Sequence, residues 1–172
     1  MSALALSIPK GLWVLVTGAT GFVAGHVIRQ LLQRGYKVRG TVRDTEKASR
    51  LIDDHFKSYA EKGDLELVEV PDMAVDGALD EAVKAVTAVA HVAASTDFDP
   101  NPNNNVPHAV AGDESILKST TRENSVKRFV FTSSIMAVAL PLASNDVRGD
   151  RNTWNDVAVE AAWAPPPYEQ TH

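Results

Sequence analysis

The stretch Val14-Leu15-Val16-Thr17-Gly18-Ala19-Thr20-Gly21-Phe22-Val23-Ala24-Gly25 constrains this chain more than any other segment. An apolar, β-branched run feeds a glycine-rich turn, and an amphipathic helix pattern starts at once. That order of strand, tight turn and helix brings helix-terminal amides to the carboxyl end of a buried strand, where a dinucleotide's pyrophosphate fits. Gly18 permits the tight turn, and Gly21 lets backbone approach the phosphates. Ala24 stands at the third glycine of the usual pattern, a position that needs only a small side chain for helix–strand contact. The alternative is a glycine turn that binds nothing.

The rest of the chain alternates in the same way. Leu12 to Val16 reads as a first strand. Phe22 to Arg34 reads as a helix with Val23, Val27, Ile28 and Leu31 on one face and Gly35 as its stop. Tyr36 to Val42 is a second strand. Thr45 can N-cap a helix to about Ala60, with Leu51, Ile52, His55, Phe56 and Tyr59 inward. Leu65 to Val70 is a third strand, Ala78 to Ala85 a short helix, and Ala88 to Val92 a fourth strand. Asp97 to Pro107 reads as a polar loop, Val106 to Arg122 as a helix, and Arg128 to Thr132 as a fifth strand.

Alternating strands and helices imply helical crossovers and a parallel sheet. With right-handed crossovers the expected fold is α/β, a doubly wound Rossmann sheet of strand order 3-2-1-4-5. After Leu140 the sequence turns polar and proline-rich, with a short helical pattern from Trp154 to Trp163 and no sixth strand. The expected organisation is a dinucleotide-binding domain over 1–140. A tail over 141–172 leads toward a catalytic helix and substrate lobe that the sheet, C-terminally incomplete, would still need.

Composition narrows the partners. The formal net charge is −5 with no basic block, which argues against nucleic acid. There is no cysteine, so disulfides and thiolate chemistry are excluded, and no metal site is expected. The Leu4-Ala5-Leu6 run is too short for a signal core, and no apolar run spans a bilayer, which makes the cytosol the default address and gives no membrane role. Oligomeric state is left open.

The end of the second strand bears on the cofactor. An acid there would bind an adenosine ribose diol, whereas this chain has Thr41-Val42-Arg43-Asp44. Arg43 is placed to meet a 2′-phosphate, and Lys47 can add a second charge, so NADP is expected ahead of NAD. The alternative for both is a solvated surface pair. Asp44 reads as a turn residue. His91, in an apolar strand, reads as a hydrogen-bonded core residue, and His26 and His55 have no metal spacing. Asp53 and Asp54 read as a solvated helix face, and Trp154 and Trp163 as packing a short helix on the sheet. Asp113 is anomalous, because its helix position matches Val110 and Leu117, where an unpaired carboxylate would be costly to bury.

Four pieces together resemble the extended, or atypical, short-chain dehydrogenase/reductases, also called the NAD-dependent epimerase/dehydratase superfamily. They are Val16 to Ala24, Gly40 to Arg43, Ala90 to Ser95, and Val126 to Ser134. More narrowly, the chain is similar to fungal NADPH-dependent aldehyde and ketone reductases and to dihydroflavonol 4-reductase. The segment from Trp154-Asn155 to Tyr168-Glu169 is similar to the one before their catalytic tyrosine. The resemblance implies that Arg43 and Lys47 meet the 2′-phosphate, Asp72 and Met73 read the adenine, and Val92, Ala93 and Ala94 line the cofactor ribose. It also counts Thr17, Thr20, Phe22, Val23 and Thr132 with Gly18 and Gly21 among the cofactor-binding residues, and makes Ser134 the catalytic serine that hydrogen-bonds a carbonyl substrate. Independently, Ser134 follows an apolar strand at the carboxyl edge of the sheet, where ligands bind, although a polar loop start is the plainer reading.

The family pairs that serine with Tyr-x-x-x-Lys, and no such pair follows Ser134 here. Tyr168 is read as the end of the Pro-Pro-Pro-Tyr segment before the true tyrosine, with a substitute Tyr168/His172 pair as the alternative. The expected function is an NADP(H)-binding oxidoreductase that reduces an aldehyde or ketone, represented by a truncated chain without full catalysis. The competing readings are a non-catalytic dinucleotide-binding or regulatory fragment and a decayed gene product with an exposed sheet edge.

Overall fold

A computed structural model describes residues 8–95, 99–139 and 148–167. Tyr168 and His172 lie outside the described residues, as do the side chains of Leu51 and Asp53. The described residues group into two units. The first takes residues to Ser95 together with His108–Thr132, and the second takes residues to Pro107 from 96 and everything after Thr132.

The first unit carries a five-stranded parallel sheet of order β3-β2-β1-β4-β5, as the alternation predicts. The strands are β1 (Trp13–Val16), β2 (Lys37–Val42), β3 (Leu65–Glu69), β4 (Ala88–His91) and β5 (Arg128–Phe131). Its central strands are short and apolar because both faces are covered. Leu15, Val16 and Val38 have no exposed surface.

Helix α1 (Phe22–Gln33) packs one face on β1 and β2. The buried residues are Ala24, Ile28 and Leu32, with Val27 and Leu31 partly buried beside them. Val23 is 53% exposed, so the inward stripe is rotated by one residue from the expected one. The small Ala24 is 1% exposed and lies in the core cluster with Val16 and Val38.

The single helix expected from Thr45 to Ala60 is broken. Asp44, not Thr45, is its N-cap, and accepts the Lys47 amide at 3.0 Å. Helix α2 (Thr45–Leu51) runs into a π-helical turn at Ile52–Phe56 and then α3 (Lys57–Glu61). Phe56 lies in the core at 3% exposure, as expected, whereas His55, across the extra residue of the π turn, faces solvent, against expectation. Asp54 is exposed, as expected.

The β3–β4 crossover is not the expected helix at Ala78–Ala85. It is a run of turns closed mainly by bonds three residues apart, such as Ala78 N–H to Val75 and Asp80 N–H to Gly77. The run still buries Leu79, Ala82, Val83 and Val86 against Leu15, Val89 and Ile116. Arg39 holds it from the sheet. Its guanidinium donates to the Ala82 and Lys84 carbonyls at 3.0 and 2.7 Å while pairing with Glu66, its register partner on β3.

Helix α4 (Pro102–Arg122) starts within the stretch expected to be a loop, and contains Pro107. Its buried side is Gly112, Ser115, Ile116 and Ser119. Val110 and Leu117 are 49% and 44% exposed, so Asp113 is not on a buried apolar face. In the second unit, Ile135–Ala137 forms a 3-10 turn, followed by α5 (Asp156–Ala162). Trp154 and Trp163 are 68% and 51% exposed rather than packed away. No helix among the described residues is long and apolar enough to cross a membrane.

Candidate dinucleotide site

The glycine-rich turn is built by hydrogen bonds to its neighbours on the sheet. Gly18 has φ +68°, a conformation that suits glycine, and a Cβ there would lie 3.0 Å from the Ala93 Cβ. The Gly18 amide donates to Thr41 Oγ1 at 3.1 Å, and the Ala19 amide to the Thr41 carbonyl at 2.8 Å. The Gly21 amide closes the turn onto the Gly18 carbonyl at 2.8 Å. These bonds leave the amides of Thr20, Phe22 and Val23 without a described partner. Gly21 is the N-cap of α1 and has no side chain to cap it, so the first-turn amides are open to an outside acceptor. Thr20, Gly21, Phe22 and Val23 are all exposed.

Gly40 makes this approach possible from the β2 side. A Cβ on Gly40 would fall 2.8 Å from the Ala19 Cβ and 3.1 Å from Leu67 Cδ2. An isolated glycine inside a β-branched strand signals such a close contact, and Thr41 beside it supplies both acceptors for the turn.

Thr17 behaves differently from its neighbours. It has no exposed surface, and its hydroxyl accepts the amides of Val92 and Ala93 at 2.9 and 3.0 Å. The same oxygen lies 2.9 Å from His91 Nδ1. His91 is 1% exposed, stacks near Phe129 and Phe131, and sets its Nε2 3.1 Å from Asp113 Oδ1. His91 is therefore a hydrogen-bonded core residue, as its strand position predicts, and it is the partner that accounts for Asp113. Its carbonyl also accepts the Thr132 amide at 2.9 Å. The histidine and aspartate were visible in the sequence, but only the fold brings them within reach.

Beyond β2, Arg43 is exposed, and no hydrogen bond or ion pair engages it among the described residues. Lys47 is instead tied to Asp44, with its ammonium 2.9 Å from the carboxylate. The Lys47 amide, and then its ammonium, hold the Asp44 carboxyl below the usual range, and Asp44 in turn raises the Lys47 ammonium. Asp72 accepts the Ala74 amide at 2.8 Å and lies 3.1 Å from His108 Nε2. Met73 is half-buried in the core beside Gly112. Val92 and Ala93 are half-buried at the end of β4, and Ala94 is exposed.

Ser134 belongs to the second unit. Its hydroxyl oxygen accepts the Met136 amide at 3.2 Å as the N-cap of the 3-10 turn, which leaves its hydrogen available to donate. Asn155 secures the turn from below, donating its amide to the Ala137 carbonyl and its side chain to the Met136 carbonyl. Among the described residues, no group of histidine and carboxylate side chains is arranged to hold a metal.

The model of the 3-beta hydroxysteroid dehydrogenase/isomerase family matches residues 15–165, from within β1 to beyond α5. The chain belongs to this family. It is a family of the extended short-chain dehydrogenase/reductase type, and the relatives agree with that breadth. An NAD-dependent epimerase/dehydratase of Aspergillus terreus is 41% identical over 94% of this chain and 47% of its own length. Aldehyde reductase 2 of Sporidiobolus salmonicolor is 40% identical over 90% of this chain and 45% of its own. Among solved structures, yeast methylglyoxal/isovaleraldehyde reductase complexed with NADPH superposes with a TM-score of 0.71 at 29% identity, covering 93% of this chain and 46% of that one. The chain thus spans about half the length of the curated relatives it matches.

Proposed function

We propose that this chain binds NADP(H) in the turn between β1 and α1 and is the cofactor-binding part of a reductase for an aldehyde or ketone. The observation that carries the reading is the turn itself. Gly18 is left-handed against Ala93, the bare N-cap is Gly21, and unpartnered amides stand at the start of α1. Those amides and the positive end of the helix suit a diphosphate. Arg43, without a partner among the described residues, is the group that would take a 2′-phosphate with its planar fork, and Lys47 contributes less because Asp44 already holds it. The amides of Val92 and Ala93 are spent on Thr17, so this end of β4 would meet a ribose through its surface and not through those donors.

When bound, NADPH supplies the hydride. Ser134 would donate its free hydrogen to the carbonyl oxygen of the substrate and so orient it. The relative named for aldehyde reduction and the NADPH-bound neighbour named for methylglyoxal and isovaleraldehyde favour a small carbonyl compound as substrate class.

A second reading concerns activity, and one fact favours it. Residues 135–172 contain no lysine and no Tyr-x-x-x-Lys to deliver a proton to a developing alkoxide. On this reading the 172 residues bind the cofactor and do not turn over. Melting curves with and without NADPH test binding, because cofactor at about a hundred times its Kd stabilises by ~2.7 kcal/mol. An unchanged melting temperature contradicts the assignment. Oxidation of NADPH by this chain with an aldehyde contradicts the second reading alone.

A further inference from the structure

We propose that His91 is a positioning residue of the dinucleotide site, fixed as the neutral tautomer with its proton on Nε2, and that Asp113 selects this tautomer. The inference rests on the cofactor reading for its effect on NADPH, and on geometry alone for the tautomer.

The protons available at Thr17 and His91 fix the tautomer. A threonine hydroxyl has one hydrogen and two acceptor positions. Both acceptor positions of Thr17 Oγ1 are taken by the amides of Val92 and Ala93. Its one hydrogen is left for His91 Nδ1, 2.9 Å away, so Nδ1 must accept and carry no proton. A neutral imidazole with a bare Nδ1 is protonated on Nε2, the nitrogen that faces Asp113 Oδ1 at 3.1 Å. A carboxylate there accepts that proton and penalises the opposite tautomer, which would set a lone pair against it.

The consequence falls on the turn. Thr17 is followed directly by Gly18, and Ala93 is the residue that a Cβ on Gly18 would strike. The hydroxyl that clasps the Ala93 amide therefore sets the separation of the glycine turn from the end of β4. A proton on Nδ1 would give Thr17 Oγ1 three donors and leave its own hydrogen without an acceptor, so at least one amide would be released. The rings beside the imidazole, Phe129 and Phe131, are apolar and offer no competing proton site.

The test joins a spectrum to a titration. A long-range proton–nitrogen correlation spectrum of the imidazole rings is recorded on the cofactor-free full chain, with His91→Phe identifying the His91 signals. The expected ring is neutral, with Nε2 protonated and Nδ1 bare. Asp113→Asn keeps an acceptor oxygen and is expected to preserve both this signature and NADPH affinity. Asp113→Leu is expected to lose the signature and weaken NADPH about three- to tenfold, and His91→Phe to weaken it about tenfold. Asp113 is 44% exposed, so its variants keep the test decisive if His91→Phe does not fold. A wild-type ring protonated on Nδ1, or NADPH affinity unaltered in both His91→Phe and Asp113→Leu, overturns the inference. Wild-type protein that shows the expected ring but binds no NADPH overturns the cofactor reading, and with it the claim that His91 serves that site.

Discussion

Gly18 and Ala93 meet across the mouth of the sheet so closely that the α-hydrogen of a glycine is the largest substituent the turn accepts, since a Cβ at 18 would lie 3.0 Å from the Ala93 Cβ. The φ of +68° adds a second penalty to any side chain there. Gly18→Ala is therefore expected to destabilise the protein by at least ~1 kcal/mol from the backbone term. It is also expected to weaken NADPH, because the displaced turn moves the amides of α1. Urea unfolding and cofactor titration of the variant check the two effects together.

Gly40 tests the same turn from the other side. Gly40→Ala puts a methyl group 2.8 Å from Ala19 and 3.1 Å from Leu67. Overpacking of this kind costs about 1–3 kcal/mol. An unfolding midpoint equal to wild type would mean that β2 does not press on the turn as described.

Arg43 and Lys47 separate by their existing partners. Arg43→Ala removes a guanidinium with no described internal partner and is expected to weaken NADPH about tenfold or more while leaving NADH nearly unaffected. Lys47→Ala removes an ammonium already held by Asp44 and is expected to have the smaller effect. Parallel titrations with both nucleotides read the difference.

Asp44 gives the pH prediction. Its folded-state carboxyl is held below the usual range, first by the Lys47 amide at the N-cap and then by the Lys47 ammonium. The contribution is thus complete above the ordinary aspartate range and is lost as pH falls through the lowered folded value. Asp44→Ala is expected to lower the melting temperature at neutral pH. The gap to wild type should close as pH is taken below the ordinary carboxylate range. A gap that widens in acid would contradict the sign.

The sequence carried the sheet because its signals are redundant. Five strand runs alternating with helical stretches, together with the glycine turn after the first, leave few right-handed arrangements, and the order β3-β2-β1-β4-β5 is one of them. It carried the glycine turn for the same reason, since Gly18 and Gly21 each answer a local backbone need. The errors came where tertiary contacts overrode local pattern. Leu79, Ala82, Val83 and Val86 have helical spacing, but their segment is pinned to the Arg39 guanidinium through the Ala82 and Lys84 carbonyls and settles as turns. His55 turns to solvent where a π-helical turn over Ile52–Phe56 interrupts the helix, a shift of phase that no periodicity announces. Asp113 looked misplaced until the fold set His91 beside it, 22 residues away in sequence.

The most direct measurement is a fluorescence titration of the full chain with NADPH beside NADH, repeated on Arg43→Ala. The account predicts saturable binding of NADPH, weaker binding of NADH, and loss of that preference in the variant. Failure of wild type to bind NADPH at millimolar concentration, or a preference unchanged without Arg43, would contradict it.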